Sequence, residues 1–182
     1  MGKRAILVLA GFGVLLSAAY FSSTIASQDI SASIKEIEPF AYCCLEHEGI
    51  FSDMPEVIGR LMENMREQNI APQGGIIAVY RNSPDQVEPE ALSWEVGFPV
   101  MEQAFVQLPL LKKTWEYTSV AETMHIGPYE KTGETIVKLT EWLGSKGYET
   151  SGPILETYFD MNPDEIDPAK LRTQIWIPVK KK

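Results

Sequence analysis

Six side chains in the sequence are of the types that bind a small, partly charged organic molecule. Two are glutamates, three are aromatic and one is an amide: Tyr80, Glu95, Glu156, Tyr158, Gln174 and Trp176. Flat aromatic rings supply a large apolar area and cation–π attraction, and a partly desolvated carboxylate selects positive charge. Placed together in one cleft, these side chains would bind a lipophilic or cationic small molecule.

The alternation of side chains along the closing strands decides which of these residues share a face. In the strand predicted over residues 92–100, Glu95 lies opposite an apolar side, and in the strand over 171–179 Gln174 and Trp176 do the same. We expect the apolar sides to pack under helices. The strand before each closing strand carries the other three residues, Tyr80 in the first repeat and Glu156 and Tyr158 in the second. All six share one cleft if the faces that carry these three also look away from the helices.

The strands that carry these residues belong to two copies of one sequence unit. His47 corresponds to His125 at a spacing of 78 residues, and glycine, proline and tyrosine positions keep this spacing, which becomes 79 after one inserted residue. A unit of about seventy residues rarely buries its own apolar face well. We therefore expect residues 34–100 and 111–179 to pack as one pseudo-symmetric domain with a cleft between the two copies.

Each repeat reads as strand, helix, strand, strand. The first strand of each copy, over residues 37–47 and 115–125, ends at a His-x-Gly turn, and an amphipathic helix follows it. A glycine-led strand, a proline-containing connection and a closing strand complete the repeat, and such short connections favour hairpins. The sequence predicts an α+β fold with antiparallel sheets, one long helix per repeat and a ligand groove between the repeats.

The composition excludes several classes of function. The formal net charge of −9, from 25 acidic and 16 basic side chains, argues against nucleic acid as a partner, because its binding depends on Lys and Arg. The adjacent Cys43 and Cys44 point to opposite faces of a strand, so they cannot staple distant segments. With only His47 and His125 as imidazoles, we expect no metal site and no cofactor.

The first 28 residues have the features of a targeting segment. Met1 to Arg4 is positively charged, residues 5–21 are apolar, and residues 22–28 are small and polar. The apolar run fits both a cleaved signal peptide and an uncleaved membrane anchor. In either case we expect the domain over 29–182 to lie outside the cytoplasm, secreted or periplasmic, or held at the membrane through residues 5–21.

Several motifs resemble the GyrI-like effector-binding family, which includes drug-sensing domains of multidrug-responsive transcription regulators. They are His125-Ile126-Gly127-Pro128-Tyr129, Gly152-Pro153 followed by Tyr158, and the run Leu171-Arg172-Thr173-Gln174-Ile175-Trp176-Ile177-Pro178-Val179. The resemblance implies two strand–helix–strand–strand modules and a groove that takes lipophilic, often cationic molecules between stacked aromatics around a buried glutamate. Glu95 matches that glutamate, whereas Gln174 stands at a second position that is often acidic in the family.

The resemblance favours an exported or membrane-anchored, non-catalytic binding protein over a transcription regulator, because a hydrophobic leader stands where a helix-turn-helix domain would precede the groove. Some stand-alone relatives resemble hydrolases of electrophilic cyclopropanoid compounds, which gives an alternative in which Glu95 acts with a tyrosine, Tyr80 or Tyr158. A second alternative is a membrane-anchored adaptor whose groove takes a peptide or a lipid. Related haem-binding proteins share the fold, but no residue here is a convincing axial ligand.

Overall fold

The computed structural model of the chain describes residues 30–160 and 165–182, which form nine β-strands and two α-helices. The strands are β1 (Ala32–Glu36), β2 (Phe40–Glu48), β3 (Ile76–Tyr80), β4 (Ser93–Pro99), β5 (Leu111–Trp115), β6 (Ser119–Ile126), β7 (Tyr148–Thr150), β8 (Ile154–Tyr158) and β9 (Arg172–Lys181). The helices are α1 (Met54–Glu67) and α2 (Thr132–Ser145). None of the helices in these ranges is long and apolar enough to cross a bilayer. The expected leader, residues 1–28, lies outside the described residues.

The α+β fold predicted from the sequence is confirmed, with all strand pairs antiparallel. Eight strands follow the order β1-β6-β9-β8-β3-β4-β2-β5, and β7 pairs with β9 beside this path. The two repeats join where β3 of the first pairs with β8 of the second. The sheets of the two repeats are therefore one continuous sheet, because pairing β3 with β8 satisfies two edges that would otherwise be left open.

The first strand of each repeat begins three or four residues later than expected, at Phe40 and Ser119, because a break separates it from an additional strand, β1 or β5, that precedes it. The breaks fall at residues 37–39, which include Pro39, and at residues 116–118. The Ile37 amide donates to the Thr118 carbonyl at 2.8 Å, so the two breaks bond to each other. The strands that precede the breaks are exchanged between the repeats. β1 pairs with β6 of the second repeat, and β5 pairs with β2 of the first. This exchange places β5 beside β2, one strand away from β4, the closing strand of the first repeat.

Both helices pack on one face of the sheet, which we call the helical face. Directly paired residues of an antiparallel sheet lie on the same face, and the pairs Val96–Ala78, Ala78–Glu156 and Glu156–Ile175 define the helical face across four strands. Leu61 of α1 packs with Val96 and Ala78, and α2 packs with Ile175. As expected, the apolar sides of both closing strands lie under the helices.

The opposite side, which we call the open face, carries a row of paired residues from one half of the sheet to the other. The row consists of Glu46, Glu95, Val79, Leu155, Trp176 and Glu122. A third apolar cluster lies on this face and includes Tyr42, Val79, Trp115 and Leu155, with Trp176 packed against it. The sheet is therefore buried on both sides in its central strands, and the open face has an apolar interior of its own.

The close approach of β4 to β2 gives a stability prediction. A Cβ atom at Gly97 would lie 2.4 Å from the Cys43 carbonyl oxygen and 2.9 Å from the Cys44 Cβ. Gly97→Ala therefore forces the two strands apart, and we expect it to lower the free energy of unfolding by about 1–3 kcal/mol. The measurement is chemical denaturation of the variant beside the wild type.

Gly59→Ala is the matched control. A Cβ at Gly59, within α1, meets no atom within 4 Å, so the same substitution should raise the free energy of unfolding by about 0.5–1 kcal/mol through helix propensity. Equal effects of the two substitutions would contradict the steric account of the β2–β4 contact.

Candidate functional site

The central feature of the open face is a buried ion cluster around Glu95. The Glu95 side chain is 1% exposed, and its Oε1 accepts a hydrogen bond of 2.6 Å from the Tyr42 hydroxyl. Its Oε2 accepts from the Arg81 Nη2 at 2.9 Å and from the Lys113 ammonium group. Lys113 also contacts the Glu46 Oε1 at 2.5 Å, so it links two carboxylates.

Strand register brings these side chains together. Glu95 on β4 pairs with Glu46 on β2, and Tyr42 on the same strand pairs with Lys113 on β5. Arg81 directly follows β3, the strand on the other side of β4. Residues from β2, β4 and β5 and from the end of β3 therefore meet at the Glu95 carboxylate. The exchanged strand β5 supplies Lys113, one of the two cations that contact it.

The cluster keeps Glu95 ionised. Burial alone would raise the pKa of this carboxyl group, but hydrogen bonds from Lys113, Tyr42 and Arg81 outweigh burial and lower it. Burial also opposes the charge of Lys113, yet its bonds to Glu46 and Glu95 raise its pKa. Burial first, and then the Glu95 carboxylate, raises the pKa of Tyr42. The hydroxyl therefore stays protonated as a donor to a permanent carboxylate.

A cavity of about 580 Å³ lies beside the cluster on the open face. Its wall includes Tyr42, Val79, Arg81, Lys113, Trp115 and Tyr117. The Trp115 ring is buried and lies 4.9 Å, centroid to centroid, from the Tyr117 ring, which is 36% exposed at the mouth. The volume lies within the range of cavities that take a drug-sized molecule, and the lining combines aromatic and charged groups.

Gln174 and Trp176 share the open face with Glu95 but lie three strands away from it. The row from Glu95 to Trp176 crosses three strand spacings, roughly 14 Å. Both side chains donate to the Glu122 Oε2, at 2.8 Å and 2.9 Å, and Lys35 pairs with the other oxygen of that carboxylate at 2.5 Å. They form a separate polar group and do not line the cavity beside Glu95.

Tyr80, Glu156 and Tyr158 lie on the helical face, so the expectation of one cleft holding all six residues is wrong. The Tyr158 hydroxyl donates to the Glu156 Oε2 at 2.5 Å, and the Tyr80 hydroxyl lies 3.3 Å from the same oxygen and 2.8 Å from the Tyr158 hydroxyl. Alternation could not reveal this, because β3 is apolar on both sides and β8 mixes polar and apolar residues on both. Ile77 and Val79 are as buried on the open face as Ala78 is on the helical face.

Glu156 differs electrostatically from Glu95. Burial raises the pKa of Glu156, and hydrogen bonds from Tyr158, Thr132 and Tyr80 offset this effect only in part. Repeat-related rings cover the group, with Tyr129 against Tyr158 at 5.0 Å and Phe51 against Tyr80 at 5.4 Å. The helical-face group is therefore a hydrogen-bonded polar centre beneath these rings, of which Phe51 is 37% exposed.

A second cavity lies apart from the six predicted residues. This cavity of about 440 Å³ lies at the β6–α2 edge, where its wall includes Thr123, His125, Lys131 and Glu134, and none of the six predicted residues reaches it. Among residues 30–160 and 165–182, no group of three His, Cys, Asp or Glu side chains is placed to hold a metal ion. Both cysteines are buried, and burial is the main cause that raises the pKa of Cys44 to about 12.

The residues that build the site were missed by sequence reasoning, apart from Glu95. A signal for Lys113 and Trp115 was present. Leu111, Lys113 and Trp115 are spaced two residues apart, so strand alternation places a charge on the same side as two large apolar groups. Tyr42 and Arg81 gave no such signal, because their role depends on the register of β2 with β5 and on the end of β3.

The repeated strand–helix–strand–strand unit and its continuous antiparallel sheet define the class of this protein, an α+β domain of two pseudo-symmetric modules. The sequence model of the GyrI-like small molecule binding domain matches residues 31–180 of the chain. The protein therefore belongs to the GyrI-like family, as the motifs indicated.

Solved structures share this fold at low sequence identity. The C-terminal domain of EcmrR superposes with a TM-score of 0.74 at 18% identity, covering 84% of this chain and 99% of that one. A hydrolase from Listeria innocua gives a TM-score of 0.64 at 10% identity, with 82% and 91% covered. SAV2435 bound to tetraphenylphosphonium gives 0.52 at 13% identity, with 83% and 94% covered. A search of curated proteins found no match.

The two buried glutamates should respond to pH in opposite directions. The lowered pKa of Glu95 means that its contribution to stability is present above the ordinary value of 4.5 and is lost on acidification. The raised pKa of Glu156 means that its contribution is present below 4.5 and is lost as the pH rises through the folded-state value. We expect Glu95→Gln to cost about 1–3 kcal/mol at neutral pH, because it leaves buried donors poorly paired.

The measurement is urea unfolding of the wild type, Glu95→Gln and Glu156→Gln from acid to neutral pH. The stability advantage of the wild type over Glu95→Gln should grow as the pH rises, whereas its advantage over Glu156→Gln should shrink. Parallel curves for the two variants would show that the two carboxyl groups do not have opposite environments.

Proposed function

We propose that this protein binds a hydrophobic, amphipathic small molecule in the open-face cavity and releases it unchanged. The observation that carries the proposal is the aromatic wall formed by Trp115 and Tyr117 next to the ion cluster of Glu95. Aromatic area supplies affinity for an apolar body, and a few fixed polar groups orient the remainder of the ligand. Membership in a small-molecule binding family supports the same assignment.

The neighbouring structure of SAV2435 bound to tetraphenylphosphonium supports a lipophilic ligand of this size class. A preference for cations, expected from the match of Glu95 to the family's glutamate, has less support from the geometry. A ligand cation would have to displace Lys113 or Arg81 from a carboxylate that both already contact. We therefore propose hydrophobic recognition as the main source of affinity.

We further propose that the domain works outside the cytoplasm, secreted or held at the membrane through residues 5–21. Fractionation of cells that express the full chain, with the mass of the mature protein, tests this proposal. A soluble exported form lacking the leader indicates a signal peptide, and an intact membrane-bound form indicates an anchor. Recovery of the intact chain in the cytoplasm would contradict both.

Binding is better supported than hydrolysis, although one neighbour is named a hydrolase. Tyr80 and Tyr158, the tyrosines considered as partners of Glu95, lie on the helical face. The tyrosine that contacts Glu95 is Tyr42. The bonds from Tyr42, Arg81 and Lys113 occupy both oxygens of the Glu95 carboxylate and lower its pKa. A carboxylate stabilised in this way is a weak general base.

Removal of the ring at the cavity mouth should weaken binding. With 1-pyrenebutanol as a neutral lipophilic fluorophore, we expect Tyr117→Ala to raise Kd by roughly 5- to 30-fold, because about 1–2 kcal/mol of aromatic contact is lost. Fluorescence titration measures Kd, and mass spectrometry follows the probe.

Phe105→Ala is the matched control. Phe105 is 75% exposed in the connection between the repeats and does not line the cavity, so its removal should leave Kd unchanged. Equal loss in both variants would indicate binding at exposed apolar patches, as an adaptor would show. Chemical conversion of the probe or of an electrophilic analogue would favour the hydrolase alternative.

A further inference from the structure

The polar side of the cavity presents hydrogen-bond donors. Resting on the function proposed above, we infer that the cavity selects lipophilic molecules with an anionic acceptor group, such as a carboxylate, and that Arg81 and Lys113 recognise that group. The proposed ligand therefore carries a negative group, whereas the match of Glu95 to the family's glutamate suggested a positive one.

Accessibility is the first argument. Arg81 and Lys113 line the cavity, with side chains that are 44% and 23% exposed, whereas Glu95 lies behind them at 1%. A molecule that enters the cavity therefore meets the guanidinium and the ammonium before it reaches the carboxylate.

The number of hydrogen-bonding positions is the second argument. A guanidinium has five N–H donors, and among the described residues the Arg81 Nη2 bond to Glu95 uses one. The Lys113 ammonium has three donors and bonds to Glu46 and Glu95. Both oxygens of Glu95 already accept bonds, three in all with the Tyr42 hydroxyl. An entering acceptor thus finds unused donors at the wall, whereas Glu95, with three of its roughly four acceptor positions occupied, offers little to an entering donor.

The cost of exchange is the third argument. A cationic ligand that took the place of Lys113 would leave this side chain beside Arg81 with less compensating charge, and breaking a buried pair is strongly unfavourable. A carboxylate adds charge-assisted bonds while the cluster stays intact. Glu46 beside Lys113, Glu116 at the cavity wall and the net charge of −9 oppose an anion, but both glutamates are exposed and distant surface charges are screened by salt.

The test compares three probes that share one pyrene body and differ at the end of the same butyl chain. They are 1-pyrenebutyrate, 1-pyrenebutanol and 4-(1-pyrenyl)butyltrimethylammonium, titrated into the purified full chain at fixed ionic strength. We expect the carboxylate to bind at least about tenfold more tightly than the ammonium, with the alcohol between them. The preference should decrease at high salt.

Two variants assign the preference to the named cations. Arg81→Gln, and Lys113→Met combined with Glu95→Gln, should each remove most of the carboxylate preference while the alcohol still binds. The double variant removes Lys113 and the buried Glu95 charge together. Arg81 and Glu46, which lose a partner, are 44% and 54% exposed and can be hydrated. Arg66→Gln, at an exposed cation on α1, is the control and should keep the wild-type order.

The outcomes are distinguishable. If the alcohol binds and the ammonium equals or exceeds the carboxylate, the inference is overturned and the proposed function stands. If the carboxylate preference persists in both variants, Arg81 and Lys113 are not its source and the inference is overturned as stated. If no probe binds the wild type, the proposed function fails and the inference fails with it.

Discussion

The open face depends on the neutralisation of one buried charge. An ionised carboxylate in the centre of a sheet is strongly unfavourable unless opposite charge and hydrogen bonds compensate it. Glu95 meets this requirement with Arg81, Lys113 and Tyr42, which come from three different parts of the chain. The requirement fixes the positions of β2, β4 and β5 relative to one another, and it leaves the outer sides of the two cations toward the cavity.

The exchange of strands between repeats makes this cluster possible. β5 follows the connection between the repeats, yet it pairs with β2 of the first repeat and brings Lys113 and Trp115 to the cavity. The same pseudo-symmetry gives a different result on the other side of the sheet. There Glu156 has hydroxyl partners and no cation within hydrogen-bonding distance among the described residues, and burial raises its pKa. Two glutamates at comparable depth thus carry different protonation tendencies because their partners differ.

Much of the fold could be predicted from sequence, and less of the site. The constant spacing of His47 and His125, and the apolar alternation of the closing strands, led to the repeat and to the side that packs under the helices. The faces of β3 and β8 could not be assigned, because β3 is apolar on both sides and β8 mixes polar and apolar residues on both, so the period-two signal disappears. The cations of Glu95 escaped prediction because strand pairing, which unites Lys113 with Tyr42, is a long-range property of register.

The most direct test of this account is a carbon-13 NMR titration of the glutamate carboxyl groups, with Glu95 assigned through the Glu95→Gln variant. The account predicts that Glu95 titrates below the ordinary value of 4.5 and that its midpoint rises when Lys113 is replaced by Met. A midpoint above 4.5 in the wild type, or one that does not respond to the loss of Lys113, would contradict the claim that the chain's own cations neutralise this carboxylate.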